Sequence, residues 1–457
     1  MIDPPWWLII LPVAGAPVIY LMRRWEIGTY LAALIALLTA WLAWNLPPIN
    51  PMRLLGRSFV LDPLTQQSMA LLFALSAVLF LADRRLHRNW YFPPLALVVL
   101  GLFAIAGMAR HLGIVALAIV LAAIVSVPII QGDRVGSTRA AWRFLVMMAL
   151  ALPFLLLAAW QMDVYRENSE ANLAYAGQAL VLMLAGVSIW LAVVPLHGWL
   201  TAVGAEAPPV ASAFVLTGFP LVALIVLIHV LTETSWLTWS ALIGHWLLLA
   251  GFLTSLSGGV LAVVQRGLRP IFGYTALFDL GCLLVALALR GPNSDLAFYS
   301  GLAVRALGLS LSGVSIAAIR MSAGEDSFGA LAGTARRLPL VTIAFLAGGF
   351  TLAGLPLSSG FPTRWYLLRD LTASDARLGW LLIAGSLGAA LAHLRALRAM
   401  LAPAEKGPNA TKLVTPGWQA ALLLAFLTLT TIGLGLFPDA LFWPALYLVE
   451  RYPLPHP

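Results

Sequence analysis

Val194-Pro195-Leu196-His197-Gly198-Trp199-Leu200, followed closely by Glu206-Ala207-Pro208-Pro209, interrupts an otherwise apolar stretch. Roughly 160 residues later Gly354-Leu355-Pro356 through Ser359-Gly360-Phe361-Pro362 interrupts a second. Pro195 and Pro356 each remove a backbone donor and loosen the preceding turn, and Pro208 restarts a helix. At membrane depth such breaks survive only where protein or a water-filled space satisfies the freed backbone groups. Paired interruptions in two halves of one chain point to an ion path in a transporter-like fold. The reading is therefore all-α and polytopic, with discontinuous helices at about 195–207 and 356–363. Internal pseudo-symmetry is expected, with one repeat over 92–232 and another over 238–400. A surface loop with a helix-starting proline is the simpler reading of the first break taken alone.

Composition agrees with a membrane-embedded chain. Hydrophobic residues make up 61% of the sequence and charged residues 10%, which excludes an ordinary soluble domain. A spanning helix needs roughly 20 mostly apolar residues. That measure places about 14 spans, near 6–22, 27–45, 63–82, 92–109, 112–131, 141–161, 176–196, 208–232, 237–262, 270–289, 296–319, 338–357, 378–400 and 417–437. The last is the final transmembrane helix, and 1–457 is a single membrane domain. The amino terminus does not read as a signal peptide, because Asp3-Pro4-Pro5 precedes the first apolar run and Arg23-Arg24 follows it.

Topology accounts for the basic balance. Of the 27 Lys and Arg, assigning loops alternately to two sides puts about 17 on one face and 9 on the other, with Arg305 inside a helix. The richer face holds Arg88, Arg134, Lys406 and Lys412 among others, and Arg290 counts with the poorer. The positive-inside rule then sets both termini outside, in a plasma (inner) or equivalent energy-transducing membrane. The lipid bilayer is an expected partner of this surface, and no nucleic acid is implied. Most of the 17 tryptophans fall near predicted helix ends, as interfacial anchors do. Cys282 is the single cysteine, with no Cys/His cluster and no phosphate-binding glycine loop after a strand. The expectation is no cofactor, no metal and no catalytic or redox centre in the chain itself.

Charges inside apolar spans carry the chemistry. Asp279 sits about three turns into its helix, where a carboxylate costs roughly 2.5–3.5 kcal/mol on insertion scales. Arg305, in the next helix, has the same problem with the opposite sign, so the two are expected to pair. That pair is either purely structural or part of a proton path. His197 and Glu206 lie just past the first break and Arg364 just past the second. Arg266 and Arg269 stand one turn apart at a helix start, where inside-facing loop charges are the plainer reading. His229 and His245, near helix ends, are candidate relay groups, with an interface or packing role the plainer reading. The small-residue runs Gly301–Gly313 and Gly385–Ala392 suit close helix contacts, with sister subunits or within the chain.

At these residues the chain resembles the antiporter-like membrane subunits shared by respiratory complex I, membrane hydrogenases and multisubunit cation/proton antiporters. The matching strings are Pro195 to Leu200 with Glu206-Ala207-Pro208, Gln265-Arg266 to Tyr274, Leu355-Pro356 to Phe361 with Trp365, and Asp62-Pro63-Leu64. The resemblance covers roughly 55–400 and implies a fourteen-helix fold with two inverted five-helix repeats and both termini outside. It also implies a polar axis built from a glutamate in the fifth span, a lysine in the broken seventh, and lysine, histidine or glutamate further on. This chain departs from that pattern. Val120 or a neighbour stands at the glutamate position, and no carboxylate lies between Arg110 and Asp133. Trp190 and Leu309 stand at lysine positions, Asp279 at a histidine position, and Arg364 and Arg269 at further lysine positions. The chain stops about 20 residues past its last span, which resembles the smaller family subunits.

Lysine and glutamate can exchange protons when burial and a partner move their pKa values toward neutrality; arginine does not deprotonate in proteins. Asp279, Arg305, Glu206, His197, Arg269, Arg364 and His245 are the proton-path candidates, and Pro195, Pro208, Pro356 and Gly360 the helix-break residues. The expected function is a membrane subunit of a complex-I-like or antiporter-like assembly. It contributes to proton, or cation/proton, translocation driven by a partner. The alternative is a non-pumping structural or coupling subunit that has lost the key Glu and Lys. Sister membrane subunits are the expected partners, with quinone or redox subunits reached only through the assembly, of NADH:quinone oxidoreductase, hydrogenase, antiporter or inorganic-carbon-uptake type.

Overall fold

The structure is a computed structural model that describes residues 4–47, 51–54, 56–86, 89–132, 138–167, 173–233, 241–289, 291–403, 415–452 and 454. Arg88, Arg134, Arg290, Lys406 and Lys412 of the charge count, and residues 238–240 of the second expected repeat, lie outside these. The helices of nine residues or more are α1 (Trp7–Leu21), α2 (Ile27–Asn45), α3 (Pro63–Leu86), α4 (Phe92–Met108), α5 (Leu112–Gln131), α6 (Arg139–Glu167), α7 (Leu173–Trp190), α8 (Gly198–Glu206), α9 (Pro209–Glu233), α10 (Ala241–Val264), α11 (Leu268–Leu289), α12 (Pro292–Ala323), α13 (Pro339–Ala353), α14 (Gly360–Ser374), α15 (Ala376–Leu401), α16 (Trp418–Leu436) and α17 (Asp439–Arg451). Every span expected from the sequence overlaps one of them. Among the described residues ten helices are long and apolar enough to cross a membrane, or up to eleven if the bent pair Phe328–Arg337 and Pro339–Ala353 is one span. The expected spans that fall short correspond to α1, α4, α7 and α13, and the breaks cut the last two.

Exposed Leu, Val, Trp and Phe line α2, α6, α10, α15 and α16, among them Trp41, Trp142, Leu249, Leu387 and Phe426. In water such a surface would be an aggregation hazard; against lipid it is the ordinary outer face of a bundle. α9, α11 and α12 are buried nearly all round and form the centre.

Two elements differ from the sequence expectation. A hairpin pairs Met52–Leu54 with Arg57–Phe59 in antiparallel register, Met52 opposite Phe59. Gly56, at φ 77°, supplies the left-handed turn. Helix α17 follows the last predicted span. Its Leu441, Phe442, Ala445 and Leu448 face inward while Trp443 is exposed. An amphipathic helix of 13 residues is invisible to a search for spanning stretches.

Both breaks are present. The chain leaves helix at Leu191–His197 and again at Gly354–Ser359. Ala192 (φ 49°) and Leu357 (φ 67°) hold left-handed backbone that L-residues seldom adopt. The carbonyls freed at the end of α13 are taken by side chains. Ser358 Oγ donates to Phe350 O (3.2 Å), Arg364 Nη2 to Leu352 O (3.3 Å) and Ser386 Oγ to Ala353 O (2.5 Å). At the first break Trp199 Nε1 donates to Ile189 O (2.9 Å), and Thr254 Oγ1 accepts from Val194 N (3.3 Å). This is how irregular backbone becomes tolerable at membrane depth.

The short helices after the breaks sit alike in the two halves: α8 packs on α6, and α14 on α12. Helix α8 also packs on α11, where Gly204 and Gly273 meet so closely that a Cβ on Gly204 would lie 2.6 Å from Gly273 Cα. The small-residue runs serve contacts inside the chain. A Cβ on Gly313 would lie 2.7 Å from Pro209 O, and one on Gly388 2.5 Å from Gly259 O.

Candidate functional site

Asp279, Arg305 and Arg364 converge at the centre of the fold. Asp279 lies on α11, Arg305 on α12 and Arg364 on α14; they are 2%, 2% and 7% exposed. Arg305 Nη1 donates to Asp279 Oδ2 at 2.9 Å, and Arg364 Nη2 donates to Asp279 Oδ1. The expected Asp279–Arg305 pair is thus one side of a triad whose second cation comes from beyond the second break.

Arg305 reaches further. Its Nη1 also donates to Ala276 O (2.7 Å) and its Nη2 to Leu216 O on α9 (3.3 Å). Arg364 lies over the Phe278 ring, its guanidinium carbon 5.4 Å from the centroid, a favourable cation–π placement. The break makes room for it. Gly354, at φ 76°, has no Cβ; one built there would lie 2.1 Å from Arg364 Cγ. The triad therefore ties α9, α11, α12, α13 and α14 together. It buries two cations against one carboxylate, since arginine keeps its proton. Charge-assisted bonds offset part of the desolvation cost, but a net positive charge remains.

A second set of candidates sits away from the triad, in and around the connector between α12 and α13. Glu206 Oε2 accepts from Ala140 N (3.3 Å) in the first turn of α6, where a carboxylate complements the helix dipole. Arg269 Nη1 donates to Glu206 O (3.2 Å), and Arg269 Nε donates to Asp326 Oδ2 (2.9 Å). Asp326 O accepts from Leu268 N, and Arg266 O accepts from Phe328 N. Arg269, Glu206 and Asp326 therefore hold the ends of α6, α8 and α11 to one connector.

Burial pushes the Asp326 carboxyl up, but its hydrogen bond and ion pair with Arg269, and then Arg320, outweigh that and hold it below the usual carboxylate range. A depressed folded-state pKa contributes stability above the unfolded value and loses it as pH falls through the folded one. Asp326→Asn is expected to cost about 1–3 kcal/mol near neutrality, a charged hydrogen bond's worth. The difference should close as pH drops below about 4. Thermal melts in detergent over that range check it.

Neither His197 nor His245 joins the triad. His197 precedes α8 at the first break and is half-buried, and His245 is exposed on α10. Pro208 packs against Gly132 at the end of α5. Trp190 and Leu309 are buried in the core and Val120 is half-buried, so the glutamate position and two of the lysine positions of the resemblance are apolar. Among the described residues no three His, Cys, Asp or Glu are grouped to hold a metal ion.

One polar cluster escaped the sequence reading. Asp62, Arg110, His229 and Glu233 meet where the start of α3, the α4–α5 junction and the end of α9 come together. A partial signal existed: His229 and Glu233 are four apart and share a helix face, and Asp62 precedes a helix.

A profile of the NADH:quinone oxidoreductase/Mrp antiporter transmembrane family matches residues 109–392. NADH-quinone oxidoreductase subunit N of Laribacter hongkongensis is 25% identical, over 93% of this chain and 91% of its own. That of Rhodopseudomonas palustris is 29% identical over 82% and 80%. The fold is shared with a chain of the Mrp complex from Dietzia sp. (TM-score 0.82, 19% identity, covering 99% of this chain and 98% of that one). It is shared too with a chain of respiratory complex I from Thermus thermophilus (TM-score 0.77, 21% identity, 97% and 99%). With a match spanning 109–392 of 457 residues, the chain belongs to the NADH:quinone oxidoreductase/Mrp antiporter transmembrane family.

Proposed function

We propose that this multi-pass membrane protein is a subunit of a complex-I-like or Mrp-like multisubunit assembly, packed against sister membrane subunits in a plasma or inner membrane. Both termini face outside, as the charge count supports. It contributes to proton, or cation/proton, translocation driven by a partner. The observation that carries this reading is the buried Asp279–Arg305–Arg364 triad at the second break. A scaffold gains nothing from burying a net charge there. A translocating subunit does, because moving α14 would re-partner Asp279 and change the field at the centre of the bundle. The similar placement of α8 and α14 supports two inverted repeats over 92–232 and 238–400.

A specific observation favours the second reading, a non-pumping coupling subunit. Trp190, at an expected lysine position, is fully packed in the core, so the first half lacks its proton-carrying group.

The readings part in a flux assay. The purified assembly is reconstituted in vesicles with a pH-sensitive dye, as wild type, Asp279→Asn and Glu206→Gln. The transport reading expects Asp279→Asn to lower driven proton flux about tenfold, ~1.4 kcal/mol on the limiting barrier. Glu206→Gln, which keeps an oxygen acceptor for Ala140 N, should change it far less. Unchanged flux in Asp279→Asn, with the subunits still assembled, leaves the coupling reading in place.

A further inference from the structure

The cluster at Asp62 and His229 has the construction of a titrating site. Asp62, just before α3, accepts from Thr65 N (2.8 Å), from Thr65 Oγ1 (3.1 Å) and from Arg110 Nη2. His229 Nε2 lies 2.8 Å from Asp62 Oδ2. Arg110 Nε is 3.1 Å from Glu233 Oε1. Tyr452 closes the group, its ring edge-on to His229 at 6.1 Å and its carbonyl accepting from Tyr299 OH at 2.6 Å. Burial pushes the Asp62 carboxyl up, but His229 and Arg110 override it and hold it well below the usual carboxylate range.

The other imidazole nitrogen is free. His229 Nδ1 is buried and has no hydrogen-bond partner. The residue lines a cleft of about 30 Å³ shared with Arg110, His111, Asp163, Arg166 and Glu233, room for a water. His111 and Arg57 both contact Asp163 Oδ2 at 3.1 Å. The α2–α3 and α4–α5 junctions and the ends of α6 and α9 fall together on the face assigned outside.

An imidazole with one nitrogen fixed by a carboxylate and the other buried without a partner, on a residue that lines a water-sized cleft, can take and return a proton with little rearrangement of its surroundings. We propose that His229, clamped by Asp62, is a proton-loading site on the outer face of this subunit. A proton from cleft water adds to the Nδ1 lone pair, the ring becomes imidazolium, and Asp62 balances the new charge; release reverses the step. The charged and titratable groups facing the ring are Asp62, Arg110, Glu233 and Tyr452, with His111, Asp163 and Arg166 across the cleft. The inference deepens the transport reading and rests on it for its purpose, though not for its chemistry.

The test is hydrogen–deuterium exchange at the imidazole C2 position, read by mass spectrometry on the peptide holding His229. It uses the whole assembly in oriented vesicles, with pH taken from 8 to 4 on one side at a time. The expected result is one protonation step that follows outer pH and ignores inner pH. Asp62→Asn should lower proton affinity about tenfold, one pH unit, and Asp62→Glu should restore most of it. A ring that keeps one state throughout, follows inner pH, or titrates unmoved in Asp62→Asn overturns the proposal. If Asp62→Asn does not assemble, the wild-type sidedness measurement decides alone. The flux assay separates failures: a titrating His229 with unchanged flux in Asp279→Asn rejects transport and keeps the site, whereas a silent His229 with lost flux rejects only the site.

Discussion

Asp279→Asn should destabilise the protein by about 3–5 kcal/mol, the cost of breaking a buried ion pair by removing one partner. The substitution changes little in volume. It leaves Arg305 and Arg364, both almost fully buried, facing each other with no counter-charge. Arg364→Met should cost far less, about 1 kcal/mol for a lost hydrogen bond. It leaves a one-to-one Asp279–Arg305 pair and keeps an apolar stem in the space over Gly354. Thermal unfolding of the detergent-solubilised assembly measures both. Equal losses would mean that the carboxylate is not the hub of the triad and that Arg364 matters chiefly as a cap on Leu352 O.

The triad also explains why a carboxylate stands at a histidine position of the resemblance. With arginine beyond the second break in place of lysine, a neutral partner would leave two permanent cations in a low-dielectric core. One carboxylate between them is the least change that makes the site tolerable. In the transport reading, Arg305 and Arg364 set a field that a moving proton must negotiate, and neither can hand a proton on. In that reading lysines there would relay, whereas arginines only hold charge.

Much of this was readable from the chain. The breaks were, because proline and glycine act locally. The Asp279–Arg305 pair was too, because two opposite charges in adjacent apolar spans have few other solutions. Arg364 was legible as a charge near a break but not as a partner of Asp279. Its reach depends on how far α14 turns after Gly354–Ser359, which no local pattern encodes. Glu206 looked like a relay group, yet it meets the first turn of α6, a contact made 66 residues away in sequence. The Asp62 cluster was illegible for the same reason. It joins Asp62, Arg110 and His229, which no local pattern connects, through three helix ends that meet only after folding.

Gly360→Ala should be the most damaging glycine-to-alanine change among the described residues. Gly360 opens α14 directly after the second break, and its Cα passes the last turn of α13. A Cβ there would sit 1.8 Å from Thr351 O and 2.8 Å from Thr351 C. Both are backbone atoms, so no side chain can swing aside, and α14 itself must move. Overpacking of a well-filled core costs typically 1–3 kcal/mol, and here the displacement also carries Arg364 off Asp279. The expectation is a loss at the upper end of that range, with driven flux falling alongside stability. Gly329→Ala is the control, since a Cβ there meets nothing within 4 Å. Thermal midpoints and flux of the two variants in the same assembly make the comparison. Should Gly360→Ala match Gly329→Ala in both, the close passage of α14 over Thr351 does not hold Arg364 in place, and the break would have to position the triad through Gly354 alone.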